Sequence, residues 1–376
     1  MHRTRCFLRP ALRRLLDARR RRIHSGQTVE EAVQETRERL SRVSGALASS
    51  AHESARTDAK ALAANALLPP LASSSDVFFH GERELTEHEA ARLSAGLERR
   101  ARGEPLAYVL GRKEFWSLEF TVTKDTLIPR SDSEVLIETL TEQFEPQTPL
   151  RILDIGTGSG CLLLSALSEF PAATGVGIDV SPGALAVAKQ NARSNGLDGR
   201  AEFVLRDLQT LPGLREDAQE DKLLYQQFDV ILCNPPYIPS RELPLVGADV
   251  LEYEPHLALF SDGGPAAEDT GEDPDGLRMY RFLHQSIAKL FKGDNGLAPE
   301  TNSAPNNKRE QTHDNARSCL LLEIGSEEQA RAVQQLFSDS ALEEGQLNRA
   351  DCGSRLQFER FLFDASGKYR GLLFLS

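Results

Sequence analysis

Leu150-Arg151-Ile152-Leu153-Asp154-Ile155-Gly156-Thr157-Gly158-Ser159-Gly160 is a short apolar strand running into three glycines, and Cys161 to Leu167 continues it as an apolar helix. A strand–glycine–helix unit lets backbone N–H groups and a helix N-terminus approach a ligand closely. A glycine-rich turn alone also fits a dinucleotide enzyme. Two details narrow the reading. The spacing is G-x-G-x-G with an acid, Asp154, inside the strand end. A second strand, Gly175 to Val180, carries Asp179 about twenty residues on, where a ribose diol would sit. No lysine follows the glycines, which excludes a P-loop. The third strand, Ala201 to Leu205, leads to Arg206-Asp207-Leu208, and the fourth, Phe228 to Leu232, runs into Cys233-Asn234-Pro235-Pro236-Tyr237.

Two consecutive prolines have no backbone N–H and hold φ near −65°, so Asn-Pro-Pro-Tyr is neither helix nor central strand. It forms a stiff turn at a strand end, with carbonyls free of ladder bonds. The Asn234 side chain and the Asn and Pro carbonyls present fixed acceptors, and Tyr237 supplies a flat ring. Such a set holds a planar N–H₂ group, either an amide or a base amine. A plain strand-to-loop turn is the other reading of the tetrapeptide.

Glycine loop, ribose acid, third acid and fourth-strand motif, in this order, resemble a class I S-adenosylmethionine-dependent methyltransferase. Gly103-Glu104-Pro105-Leu106-Ala107-Tyr108-Val109-Leu110-Gly111, Glu114-Phe115-Trp116 and Thr126-Leu127-Ile128-Pro129-Arg130 are similar to the HemK-like protein-glutamine methyltransferases that modify peptide-chain release factors. So are Glu254-Pro255 with Ala258-Leu259, Asp275-Gly276-Leu277 with Tyr280, and Leu322-Glu323-Ile324-Gly325. The similarity runs from about residue 103 to 360. One departure is Pro129-Arg130-Ser131-Asp132-Ser133-Glu134, where the family has Pro-Arg-Pro-Glu-Thr-Glu. Ser131 with Glu134 has the spacing of a capping box, so a helix start is expected there.

The resemblance implies an α/β, Rossmann-like fold, a seven-stranded mostly parallel sheet, with a small N-terminal helical domain and a linking β-hairpin. It implies S-adenosylmethionine as cofactor, with Gly156, Thr157, Gly158, Ser159 and Gly160 at its methionine portion, Asp179 on the ribose, Asp207 and Leu208 at the adenine, and Asp154 also among the cofactor-binding residues. A helix N-cap is the competing role for Asp207. Asn234, Pro235, Pro236 and Tyr237 would hold and orient the glutamine amide, with Asn234 also at the cofactor. Phe115, Pro129 and Arg130 would line the substrate pocket, although core packing fits Phe115 nearly as well. The implied partner is a mitochondrial peptide-chain release factor, methylated on the glutamine of its Gly-Gly-Gln loop, and the enzyme is expected to be a monomer.

Composition bounds these readings. The chain has 376 residues, 40% hydrophobic and 27% charged, enough for one large and one smaller domain. No stretch approaches the roughly 20 apolar residues of a membrane span. Five dispersed cysteines (Cys6, Cys161, Cys233, Cys319, Cys352) with no C-x-x-C indicate reduced thiols and no metal site. Residues 1–25 contain nine arginines against one acid, Asp17, a net of +8, so the rest of the −12 chain carries −20. So acidic a body disfavours a polyanionic substrate. That weighs against one rival, an adenine-N6 methyltransferase acting on DNA or RNA. The other rival, a non-catalytic assembly factor, would not need intact glycine and Asn-Pro-Pro-Tyr motifs.

The first 25 residues place Leu8, Ala11, Leu12, Leu15 and Leu16 on one helical stripe with the arginines mostly off it. This resembles a mitochondrial transit peptide, which puts the mature protein in the matrix. A basic surface helix is the alternative. Residues 26–110 read as a helical substrate-recognition domain, with capping boxes at Thr28/Glu31 and a helix opening at Thr86, and with Ala59 to Leu68 helical up to Pro69-Pro70. Residues 111–130 alternate apolar and polar as a hairpin would, and 131–376 form the methyltransferase domain. Segments near 215–227, 264–274 and 293–317 look inserted, the last of them polar enough to be disordered. Leu356 to Phe363 and Tyr369 to Leu375 close the sheet as an antiparallel pair.

Overall fold

The computed structural model describes residues 23–44, 51–264, 273–292, 318–343 and 356–376. Almost all of the transit-like segment, most of the 264–274 insertion, all of 293–317, and Cys6 and Cys352 lie outside the described residues. The chain divides after Gly111 into two compact units.

The N-terminal unit contains α1 (Val29–Ser44), α2 (Ala51–Ala66), α3 (Glu87–Ala101) and the short α4 (Leu106–Leu110). The capping box at Thr28 forms: its N–H donates to Glu31 Oε2 at 3.1 Å, and the Glu31 N–H donates to Thr28 Oγ1 at 3.2 Å. Thr86 and Glu89 form a second one. Helix α2 starts eight residues before the expected Ala59 and stops ahead of Pro69, because a residue preceding proline is pushed out of the helical region. Val29, Leu62, Leu67, Leu93 and Leu97 form its buried core.

The larger unit opens with β1 (Arg112–Phe115) and β2 (Leu118–Thr121), antiparallel with Phe115 opposite Leu118. The two-residue turn has positive φ at both Trp116 and Ser117, the primed geometry that matches strand twist, here without glycine. Trp116 is held there by its N–H to Glu134 Oε1 at 2.9 Å and its indole N–H to Glu169 Oε1 at 2.7 Å. That first bond explains a correction. The Ser131–Glu134 capping box does not form, because the Glu134 carboxylate is engaged by Trp116. Residues Ser131–Ser133 instead make a 3-10 turn leading into α5 (Glu134–Gln143), with no side-chain cap.

The remaining elements are β3 (Arg151–Ile155), α6 (Cys161–Glu169), β4 (Thr174–Asp179), α7 (Pro182–Ser194), β5 (Ala201–Leu205), β6 (Val230–Cys233), α8 (Ala248–Tyr253), α9 (Arg278–Leu290), β7 (Cys319–Glu323), α10 (Glu327–Glu343), β8 (Gln357–Phe363) and β9 (Tyr369–Leu375). Strands pair in the order β5-β4-β3-β6-β7-β9-β8, parallel except for β9, which runs antiparallel to both neighbours. This is the class I methyltransferase sheet. Strands β3, β6 and β7 are buried almost throughout, as expected for parallel strands covered on both faces. Leu163, Leu167 and Phe170 pack on one face, and Tyr280, Leu283 and Phe337 on the other. Ser181 caps α7 by accepting the Ala184 N–H at 3.2 Å, with Pro182 at the first helical position.

Candidate active site

Strands β3 and β6 are adjacent and parallel, with Ile155 opposite Cys233, while β4 and β5 continue from β3 in the other direction. This is where strand order reverses, and open α/β sheets bind ligands at the C-terminal ends of such strands. The glycine loop leaves β3 there and Asn-Pro-Pro-Tyr leaves β6. Gly156, Gly158 and Gly160 have φ of 74°, 55° and 82°, a left-handed path that side chains resist. A Cβ on Gly156 would face the Asn234 carbonyl at 3.7 Å, so the two motifs stand side by side.

A cavity of about 470 Å³ opens over this junction, lined by Gly156, Thr157, Gly158 and Ser159, by Asp179, by Asp207 and Leu208, and by Asn234, Pro235 and Pro236. Asp179 Oδ2 accepts the Gly158 N–H at 2.9 Å and Oδ1 the Ser181 N–H at 2.8 Å. Burial raises its carboxyl above the usual range, against the lowering effect of these N–H bonds. Asp207 accepts the Gln209 N–H at 2.8 Å and caps a 3-10 turn, so the capping role is real and coexists with a place on the cavity wall.

A second cavity, about 560 Å³, is lined by Tyr237, Glu323 and Gln329, and it shares Leu127, Arg130, Asn234 and Ala258 with the first. Asn234 therefore stands where the two spaces meet. Tyr237 faces only the second, its ring against Gly325, where a Cβ would lie 2.8 Å from Tyr237 Cε2. Burial pushes the Tyr237 phenol up, so it stays neutral. Gln329 steadies the turn: Nε2 donates to the Tyr237 carbonyl at 3.1 Å and to that of Gly276 at 3.2 Å.

Three expected site residues do not face either cavity. Phe115 is 1% exposed and packs edge-to-face on Phe120, because the hairpin turns its apolar face onto the sheet. Asp154 is 1% exposed behind the glycine loop, where Oδ2 accepts the Thr157 hydroxyl at 2.6 Å and the Leu163 N–H at 3.3 Å. It braces the loop from behind, and burial raises its pKa to about 7. Gly160 is needed for packing, since a Cβ there would lie 3.2 Å from Leu164 Cδ1 and 3.4 Å from Ala188.

Residues 147–289 match a family described as a methyltransferase domain, and residues 38–111 one described as the PrmC N-terminal domain. A "Release factor glutamine methyltransferase" of Bradyrhizobium diazoefficiens is 38% identical over 279 residues, 73% of this chain and 83% of the relative. The chain belongs to the release factor glutamine methyltransferase family. A relative of that name from Moorella thermoacetica is 42% identical over 223 residues, 59% of this chain and 70% of its own length. One from Caulobacter vibrioides is 40% identical over 210 residues, and the chain spans 65% of its length.

The cavity fits the S-adenosylmethionine that this methyltransferase family's fold implies. It offers close backbone approach at Gly156, a carboxylate at Asp179 placed for a diol, and apolar walls at Ile155, Ile178 and Leu208. Glu323, Gln329 and Ser133 were not assigned roles from sequence. Glu323 lies in the Leu322–Gly325 motif and ends the apolar run Cys319 to Leu322, Ser133 lies in the Pro129–Glu134 motif, and Gln329 left no signal.

Proposed function

We propose that this chain methylates the side-chain amide of the glutamine in the Gly-Gly-Gln loop of a peptide-chain release factor, using S-adenosylmethionine, and that the factor is mitochondrial. The single observation that carries the reaction is the position of Asn234 on the shared wall of the two cavities. One cavity suits the donor and the other the acceptor, and Asn234 borders both.

The donor's sulfonium supplies an activated methyl group. Gly156 to Ser159, Asp179 and Leu208 would hold it. An amide nitrogen is a weak nucleophile because its lone pair is delocalised into the carbonyl. Asn234 Oδ1 and the Pro235 carbonyl accept its two N–H bonds, which aims the nitrogen and favours the positive charge that develops on it. Tyr237, fixed against Gly325, flanks the amide plane. No general base is required, since the proton can leave to water after transfer. The two glycines before the acceptor let its loop enter a narrow space without side-chain clashes. An amphipathic, arginine-rich start supports the mitochondrial location, and the net −20 of the remaining chain suits a basic, ribosome-seeking partner.

The test is transfer of label from S-adenosylmethionine to a purified mitochondrial release factor, to the same factor with the acceptor Gln→Ala, and to DNA and RNA. Labelling of the unsubstituted factor alone supports the reading. Label on adenine overturns it.

A further inference from the structure

We propose that Glu323 is a positioning residue for Asn234, fixing the side-chain amide in the orientation that turns Oδ1 toward the acceptor. The inference rests on the amide-holding role given to Asn234 above. An asparagine amide is nearly the same shape in both flips, yet only one presents an acceptor. Something beside it must choose.

The sheet puts Glu323 in that place. Leu322 pairs with Cys233 across β7 and β6, so the next residue of each strand, Glu323 and Asn234, emerge together at the C-terminal edge. Glu323 is 4% exposed, yet it lines the second cavity with Asn234 and Tyr237. Its carboxylate lies beside the Asn234 side chain and the Ser133 hydroxyl. Oε2 has no hydrogen-bond partner among the described residues.

An ionised carboxylate only accepts. It therefore accepts a hydrogen bond from the Asn234 Nδ2–H, which leaves Oδ1 free. A neutral carboxyl can instead donate to Oδ1, which spends the acceptor the reaction uses. Burial raises the Glu323 pKa to about 7; Ser133, Arg370 and Asn234 oppose the rise, and Asp132 adds to it. Tyr237, Tyr280, Cys161 and Cys233 also face this carboxylate, and burial keeps each of them in its neutral form. Glu323 is thus the group beside the Asn234 side chain whose charge changes near neutrality, while Asp154 titrates in the same range behind the glycine loop; turnover should rise as pH climbs through about 7, and the Glu323 variant separates the two.

The experiment measures kcat and KM on a release factor from roughly pH 5 to 9 for the wild type, Glu323→Gln and Asn234→Ala, with cofactor affinity by calorimetry. We expect Glu323→Gln to lose about tenfold or more in kcat above neutrality and to lose the rise near pH 7. Its cofactor affinity should stay within about twofold, a split that a merely structural acid would not give. A Gln variant with wild-type kcat and pH profile overturns the proposal. If Asn234→Ala is inactive in that case, only the role of Glu323 fails; if it too is normal, the amide-holding reading fails with it. Should Glu323→Gln not fold, Ser133→Ala serves instead. Losing the hydroxyl that lowers the Glu323 pKa should move the acid limb to higher pH, and an unmoved limb overturns the proposal.

Discussion

Arg130 Nη2 donates to Glu254 Oε1 at 2.6 Å, while the Ile128 N–H donates to the other oxygen of the same carboxylate at 3.1 Å. One buried acid thus ties the 128–130 segment to the chain just before Pro255. Pro255 lines the first cavity, and Arg130 lines both. Glu254→Ala leaves the Ile128 N–H and the partly exposed guanidinium without their partner. It should cost about 1–3 kcal/mol and raise KM for the protein acceptor. Thermal unfolding and acceptor titration check this; an unchanged melting temperature with unchanged KM would contradict it.

Asp179 holds two backbone N–H groups on the cavity wall and has lone pairs left for a diol. Asp179→Ala should weaken S-adenosylmethionine binding by ~1.5–3 kcal/mol, the scale of hydrogen bonds to a charged group. Calorimetry on the folded variant decides the matter, and an affinity equal to wild type removes Asp179 from the cofactor site.

Asp154 sets a pH dependence of stability. Burial, the largest influence, raises its pKa from 3.8 to about 7, opposed by the Thr157 and Leu163 bonds and assisted by Asp179. The folded protein therefore holds this proton more tightly than the unfolded chain. The stabilisation is complete below 3.8 and is lost as pH rises to about 7. Asp154→Asn keeps an acceptor for Thr157 and removes the titration, so its melting temperature should fall less steeply across that window. Glu323 shifts in the same direction, so some slope remains in the variant. Parallel curves for wild type and variant would refute the assignment.

Gly325→Ala places a methyl group 2.8 Å from the Tyr237 ring, closer than carbon atoms pack. The ring must shift from its place against Gly325. Turnover should drop by about tenfold or more at unchanged cofactor affinity, with a stability cost of about 1–3 kcal/mol. Retained turnover would show that the position of Tyr237 is unimportant.

The strand–glycine–helix unit, Asp179 and Asn-Pro-Pro-Tyr were legible because each is a local pattern whose backbone demands follow from glycine and proline. Strand alternation with helices gave the parallel sheet and its antiparallel closing pair. What escaped the sequence was which way side chains point once distant segments meet. Phe115 could be core or pocket until the Trp116–Ser117 turn set its face. Asp154 sits one turn of loop from the ligand space, but β3 directs it to Thr157 instead. Glu134 has capping-box spacing, and only the fold shows its carboxylate taken by the Trp116 N–H. The Glu323–Asn234 neighbourhood depends on register between strands some ninety residues apart, which no local pattern encodes.

The central claim is that Asn234 aims a glutamine amide at the methyl donor, and the direct measurement is single-turnover methylation of a release factor by Asn234→Ala beside wild type. Loss of the aligned acceptor should slow methyl transfer by ~10²-fold or more, with the methyl group of the wild-type reaction found by mass spectrometry on the Gly-Gly-Gln glutamine and with cofactor affinity little changed. Transfer by Asn234→Ala at the wild-type rate, or a methyl group located on another residue, would contradict it.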